Sequence, residues 1–363
     1  MIKLERSLLE GLDAEHPTLE AVQAALQSAI ELEHSTIPVY LYALFSLRAG
    51  TNRQIAAILK SVVVEEMLHM VLAANVLNAL GASPAISTKD FIPSFPGRLP
   101  GGVEEQLTLH LRAFSLDQLQ TFIDLEEPRD PLNVHAGSVD DVPTTTIGEF
   151  YTAIATAVAA LGNDAFVGPS ERQVGPDLMF GSISVSDVAS ALNALDTIIE
   201  QGEGTGTSPE EVDGPDGVDD YAHYYRLTQI REGRALVRTS GDDEAPQYAF
   251  AGDEIAFDAD GIVELPEDPC AQNYPTGSPE RLAMDTFNFT YTTLLTQLHD
   301  LVNGHADMTC FGTALSLMES LAHQARAMAS GVAVPGRVLG PSFEYQPVDP
   351  HDDVDAQLNE SRA

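Results

Sequence analysis

Glu66 and His69 stand three residues apart in the apolar run Val62-Val-Val-Glu-Glu-Met-Leu-His-Met-Val-Leu-Ala-Ala-Asn-Val-Leu77. A helix turns about 100° per residue, so both side chains share one face, and burying two ionisable groups there is costly unless each has a partner. A divalent cation satisfies both at once. Helical bundles that hold two iron or manganese ions use this Glu-x-x-His spacing together with single Glu residues from neighbouring helices. Matching carboxylates are therefore expected elsewhere in the chain.

On the preceding helix, Leu26, Ile30, Glu33 and Ile37 recur at spacings of four, three and four, which places Glu33 on the apolar face. Glu31 and His34 repeat the Glu-x-x-His spacing and are the rival pair. Glu65 also reaches His69, at i+4. It reads as the carboxylate that orients a ligating imidazole, or as the plain partner of a core histidine. Glu149 closes Thr146-x-x-Glu149, a capping box, yet it is continuous with the apolar face of Ala153 and Ile154. Glu200 ends the apolar Ile198-Ile199, beside Glu203. Farther on, Asp220-x-x-His223 repeats the spacing with a shorter acid. Tyr40, Tyr42, Tyr151, Tyr221, Tyr224 and Tyr225 are candidate hydrogen-bond donors or packing residues.

These residues need helices to position them. Caps and breakers place helices at about 18–48, with Pro38 inside as an expected kink, and at 52–80, closed by Gly81 and Pro84. The short link between them implies an antiparallel hairpin. Further helices are expected at 115–127, 146–161, 186–201, 219–233, 279–303 and 308–330. The Pro- and Gly-rich stretch 85–112, a loop at 129–143 containing His135, and the acidic Gly-rich segment 202–218 read as loops. An irregular stretch with β character follows to about 278. No fixed-period repeat or composition break separates domains, so 1–363 reads as one domain with a carboxyl-terminal helical extension at about 279–345.

With 55 acidic against 18 basic residues, the formal charge is -37, which argues against nucleic acid or an anionic membrane as partner. Such acidity suits a salt-adapted protein whose carboxylates keep the surface hydrated. No apolar run approaches the roughly 20 residues that span a bilayer. Two cysteines, Cys270 and Cys310, make neither a disulfide framework nor a zinc site, and fit a reducing, cytoplasmic setting. Serine-hydrolase, Walker and zinc-finger motifs are absent from the sequence.

The segments Leu32-Glu-His-Ser-Thr-Ile-Pro-Val-Tyr-Leu41, Glu65-Glu-Met-Leu-His69, Ile147-Gly-Glu-Phe-Tyr151, Glu200-Gln-Gly-Glu-Gly204 and His223-Tyr-Tyr-Arg226 carry a family resemblance. With Phe287-Asn-Phe-Thr-Tyr291 and Gly340-Pro-Ser-Phe-Glu344, they resemble the ferritin-like domain family named after iminophenylpyruvate dimer synthase, an enzyme of violacein-type pathways. The resemblance implies an all-α, ferritin-like four-helix bundle with long loop insertions and extra carboxyl-terminal helices. It implies a di-metal centre at Glu33, Glu66, His69, Glu149, Glu200 and His223, with Glu65 and Glu203 as catalytic carboxylates. Two iron ions are the implied cofactor, with manganese or a mixed pair as alternatives. The implied partners are a small-molecule substrate and O2, with self-association left open. In simple di-iron bundles the last Glu and His share one helical turn, whereas here Glu200 and His223 flank the Gly-rich loop. The roles of Glu203 and Asp220 stay open for that reason. The expected function is a di-metal oxidoreductase acting on a small molecule in secondary metabolism; the alternatives are an iron-handling protein and a metal-free partner module.

Overall fold

The computed structural model describes residues 12, 16–100, 107–128, 146–204, 208–210, 221–240 and 247–347. Helix α1 (Leu19–Ser46) starts where the Thr18 hydroxyl accepts the Ala21 amide, and it runs uninterrupted through Pro38. After a six-residue turn the chain reverses into α2 (Arg53–Ala79). The two helices pack along their lengths as the antiparallel hairpin that the short link implies. α3 (Leu116–Leu125) is capped by Ser115 and presents Leu119, Phe122 and Ile123 to the interior. α4 (Ile147–Leu161) opens on a complete Thr146–Glu149 capping box, and α5 (Val188–Gly202) on an Asp187–Ser190 box. α6 (His223–Glu232) ends at Gly233 in the left-handed conformation, which glycine adopts without a Cβ clash.

α4 packs against α5, α2 against α5 and α6, and α1 against α4, so α1, α2, α4 and the interrupted α5–α6 form the four-helix bundle. α3 lies outside this set and docks on α6. The stretch expected to have β character holds one antiparallel pair, β1 (Arg234–Arg238) and β2 (Tyr248–Glu254), with a register shift between Arg234 and Leu236. α7 (Pro279–Val302) and α8 (Met308–Ala329) form a second hairpin, and α8 also contacts α1. Most buried apolar side chains from Val22 on α1 to Phe343 beyond α8 belong to one contiguous core, and Ala222, Tyr225 and Leu236 form a smaller cluster where α6 meets β1. Each fully buried Leu, Ile or Phe there contributes roughly 1.5–3 kcal/mol relative to exposure. Among the described residues, no helix is long and apolar enough to cross a membrane.

Candidate metal centre

Four helices aim ionisable groups at one point in the bundle. α1 contributes Glu33, α2 Glu66 and His69, α6 its first residue His223, and the carboxyl-terminal cap of α3 supplies Glu126. All five are buried, His223 completely. They form two groups that share Glu66: Glu33, Glu66 and His69, and Glu66, Glu126 and His223. Within each group the ligand atoms lie within 4.8 Å of one another. The imidazoles of His69 and His223 stack with centroids 5.3 Å apart.

Each imidazole turns Nδ1 toward the carboxylates of these two groups and Nε2 toward a side chain outside them. His69 Nδ1 lies 3.7 Å from Glu33 Oε2, while its Nε2 is 3.0 Å from the Gln201 side-chain oxygen on α5. His223 Nδ1 lies 2.9 Å from Glu66 Oε1 and 3.6 Å from Glu126 Oε2, yet no aligned hydrogen bond forms there. Its Nε2 meets Glu65 Oε2 at 2.9 Å. Glu65 is in turn gripped by both terminal nitrogens of Arg226, one turn along α6. Three hydroxyls fix the carboxylates: Tyr151 donates to Glu33 Oε1 at 2.5 Å, Thr36 to Glu66 Oε2 at 3.0 Å, and Tyr40 to Glu126 Oε1.

The electrostatics separate these acids. Burial, then the charges of Glu126 and Glu33, pushes the Glu66 carboxyl up to about 8. Burial also opposes ionisation of Glu65, but the His223 hydrogen bond and the Arg226 charge outweigh it and hold Glu65 at about 2. Glu33 lies below the usual carboxylate range because the bond and charge of His69 overcome its burial. His69 and His223 are raised by their carboxylate partners against the cost of burial, His223 strongly.

A cavity of about 10 Å³ sits among Glu33, Glu66, His69, Glu126 and Tyr151, close to the volume that one water-sized sphere occupies. Glu203 lines the same cavity. The amide of Gly148 donates to its Oε1 at 2.6 Å and the Thr146 hydroxyl to its Oε2 at 3.2 Å. Gly148 permits this approach, since a Cβ there would stand 2.4 Å from Glu203 Oε2.

Six residues named from the sequence as ligands thus have different fates. Glu33, Glu66, His69 and His223 converge; Glu149 and Glu200 join neither group. The Glu149 carboxyl accepts the Thr146 amide at 3.2 Å, so the capping reading describes its place. Glu200 is half-buried, and the neighbouring Gln201 side chain is the one that reaches His69. Glu65 serves His223 rather than His69, because its oxygens face α6. His34, of the rival pair, bonds instead to the Tyr291 hydroxyl at 2.7 Å and stacks on Phe91. Asp220 and His135 lie outside the described residues. Sequence reasoning missed Glu126, although it follows Leu119, Phe122 and Ile123 at helical spacing on the buried face of α3. It also missed Gln201 and Arg226. A third group, His110, Glu267 and Asp268, is at the surface, where Arg112 engages Glu267.

A family model described as Ferritin-like matches residues 26–232, more than half of the 363-residue chain. The chain belongs to the ferritin-like family. This bears out the resemblance drawn from the sequence segments and the bundle it implied. The ferritin-like chain is 24% identical over 377 aligned positions to dichlorochromopyrrolate synthase of Lentzea aerocolonigenes. That alignment covers 88% of this chain and 35% of the relative, so the chain spans about a third of the length of the curated relative it matches. A crystal structure of a ferritin-like protein from Caulobacter vibrioides superposes with a TM-score of 0.60 at 23% identity, covering 90% of this chain and 99% of that one. That likeness is one of fold.

Proposed function

We propose that the centre binds two divalent transition-metal ions, with iron the preferred pair, and that the chain is an oxidoreductase acting on a small organic molecule with O2 as oxidant. The observation that carries this reading is the pair of buried Glu–His groups sharing Glu66. Glu33 and His69 would hold one ion, Glu126 and His223 the other, and Glu66 both. The donor set fits: hard carboxylate oxygens and imidazole suit iron and manganese. The unaligned His223 Nδ1, completely buried, is directed among carboxylates, and a small cavity lies beside Glu66 and Glu126 of the same group. Two such ions would supply the redox chemistry with O2.

The rest is the work of the chain's own residues. Gln201 and Glu65 lock the two imidazoles so that Nδ1 faces the carboxylates, an arrangement that raises ligand affinity. Glu65, with its oxygens committed to Arg226 and His223, is a positioning residue. Glu203 borders the cavity, its oxygens accepting from the Gly148 amide and the Thr146 hydroxyl, and would carry a proton to or from the centre. Tyr40, Tyr151 and Thr36 keep the carboxylates in place. A small organic substrate is suggested by the relative dichlorochromopyrrolate synthase, a synthase of an organic product. The competing reading is metal handling without catalysis.

Elemental analysis after anaerobic loading with Fe(II), followed by O2-uptake measurements with candidate aromatic substrates, tests the proposal. Two ions per chain and substrate-dependent O2 uptake are expected. Fewer than one ion per chain rejects the metal centre. Two ions without substrate-dependent uptake favour metal handling.

A further inference from the structure

Where α1 ends and α2 begins, the turn between them meets the carboxyl end of α8 around a cavity of about 730 Å³. Three arginines line it: Arg48, Arg53 and Arg326. Thr51 and Ser330 add hydroxyls, and Phe45, Val263 and Ala329 give it an apolar floor. Among the described residues no aspartate or glutamate lines this cavity, in a chain with 55 acidic residues against 18 basic ones.

Arginines elsewhere in the fold divide: Arg172, Arg231 and Arg234 bond to hydroxyl, amide or carbonyl oxygens, and others to carboxylates. Arg112, Arg226, Arg281 and Arg337 each pair with a carboxylate. Among the described residues, Arg48 and Arg53 use only Nε, on the backbone oxygens of Asp260 at 3.3 Å and Gly50 at 3.2 Å. Among the described residues, Arg326 has no side-chain bond, so all three guanidiniums present their terminal nitrogens without a carboxylate. The start of α2 adds to the field. Asn52, at φ 45°, uses its side chain on Asp258 and leaves α2 without a side-chain cap, so its first turn presents positive partial charge beside Arg53.

We propose that this cavity binds a small organic anion, an apolar body bearing a carboxylate or phosphate. Guanidinium forks match the paired oxygens of either group. The apolar floor takes the body, and the volume falls within the roughly 300–1,000 Å³ of small-molecule sites. Arg48 lies fifteen residues beyond Glu33, roughly 20 Å along a helix, so the site is separate from the metal centre and stands or falls without it.

The test uses the full chain, stripped of metal with chelator, and the fluorescent probe 8-anilinonaphthalene-1-sulfonate, an aromatic body with one anionic group. Benzoate, phenyl phosphate and inorganic phosphate serve as competitors. One saturable site is expected, displaced by phenyl phosphate or benzoate better than by inorganic phosphate, and weakened as NaCl rises from about 0.05 M to about 0.5 M. The relative strength of phenyl phosphate and benzoate identifies the preferred head group. The triple variant Arg48→Gln, Arg53→Gln, Arg326→Gln is expected to weaken binding by about tenfold or more. Because the Arg326 side chain makes no bond among the described residues, Arg326→Gln alone keeps the test valid if the triple variant fails to fold, and a threefold loss or more is expected. Unchanged affinity in either folded variant overturns the proposal, as does equal binding of the uncharged analogue N-phenyl-1-naphthylamine.

Discussion

Burial together with the charges of Glu126 and Glu33 raises the Glu66 carboxyl to about 8, and a cation in contact would reverse that shift. The Glu66→Gln variant matches the shape and neutrality of the protonated acid. It should therefore keep the metal-free fold within about 1 kcal/mol while removing the ligand that both groups share. Elemental analysis should fall from two ions per chain to none, and an unchanged ion content would refute shared ligation. His34 gives a second residue-level prediction. Burial lowers it from the ordinary 6.5 to about 3, so the unfolded chain takes up this proton first as pH falls. Its stabilising contribution is complete above 6.5 and is lost between 6.5 and about 3, at up to about 1.4 kcal/mol per pH unit. Urea midpoints at pH 7, 6 and 5 should fall less steeply for His34→Asn than for the parent; parallel slopes would contradict the assignment. At this scale periodicity made Glu33, Glu66 and His69 legible, because each sits on an apolar stripe of its own helix. It also marked Glu149 and Glu200, which among the described residues join neither group: Glu149 accepts the Thr146 amide and Glu200 is half-buried.

Helix α6 is fastened to α2 by two residues one turn apart. His223 meets Glu65, and Arg226 meets both Glu65 and the Ser61 hydroxyl at 2.9 Å. Replacing Arg226 by Met strands a buried carboxylate without its cation, a change that costs about 3–5 kcal/mol. Adding Glu65→Gln should recover much of that loss. A double-mutant cycle in urea measures the coupling, and additive single effects would show that the pair does not act as a unit. The extents of the elements themselves were legible. Thr18, Ser115, Thr146 and Ser278 cap helices within a few residues of the expected starts, because capping is decided by the residues at the terminus. The pairing of α3 with α6 was not legible, since it depends on which surfaces remain after the bundle closes. Glu126 was hidden for that reason.

Across the whole molecule, a formal charge of -37 sets surface repulsion against the buried core. Raising KCl from about 0.01 M to about 1 M shortens the screening length from about 30 Å to about 3 Å. The thermal midpoint should rise over that range, and a flat or falling midpoint would mean that the surface charges do not oppose folding.

Composition, caps and hydrophobic period determined the helices and three of the five converging side chains, Glu33, Glu66 and His69, while the bundle class followed from the family resemblance of the motif segments. These are properties of neighbouring residues in the chain. Only tertiary structure decided that Glu126 joins the centre while Glu149 and Glu200 stay outside, and that Gln201 and Glu65 each take one imidazole. It alone gathered three arginines at one end of the α1–α2 hairpin. The physical reason is distance along the chain: Glu126 and His223 are ninety-seven residues apart, and no local rule ranks one buried-face carboxylate above another until packing brings the helices together.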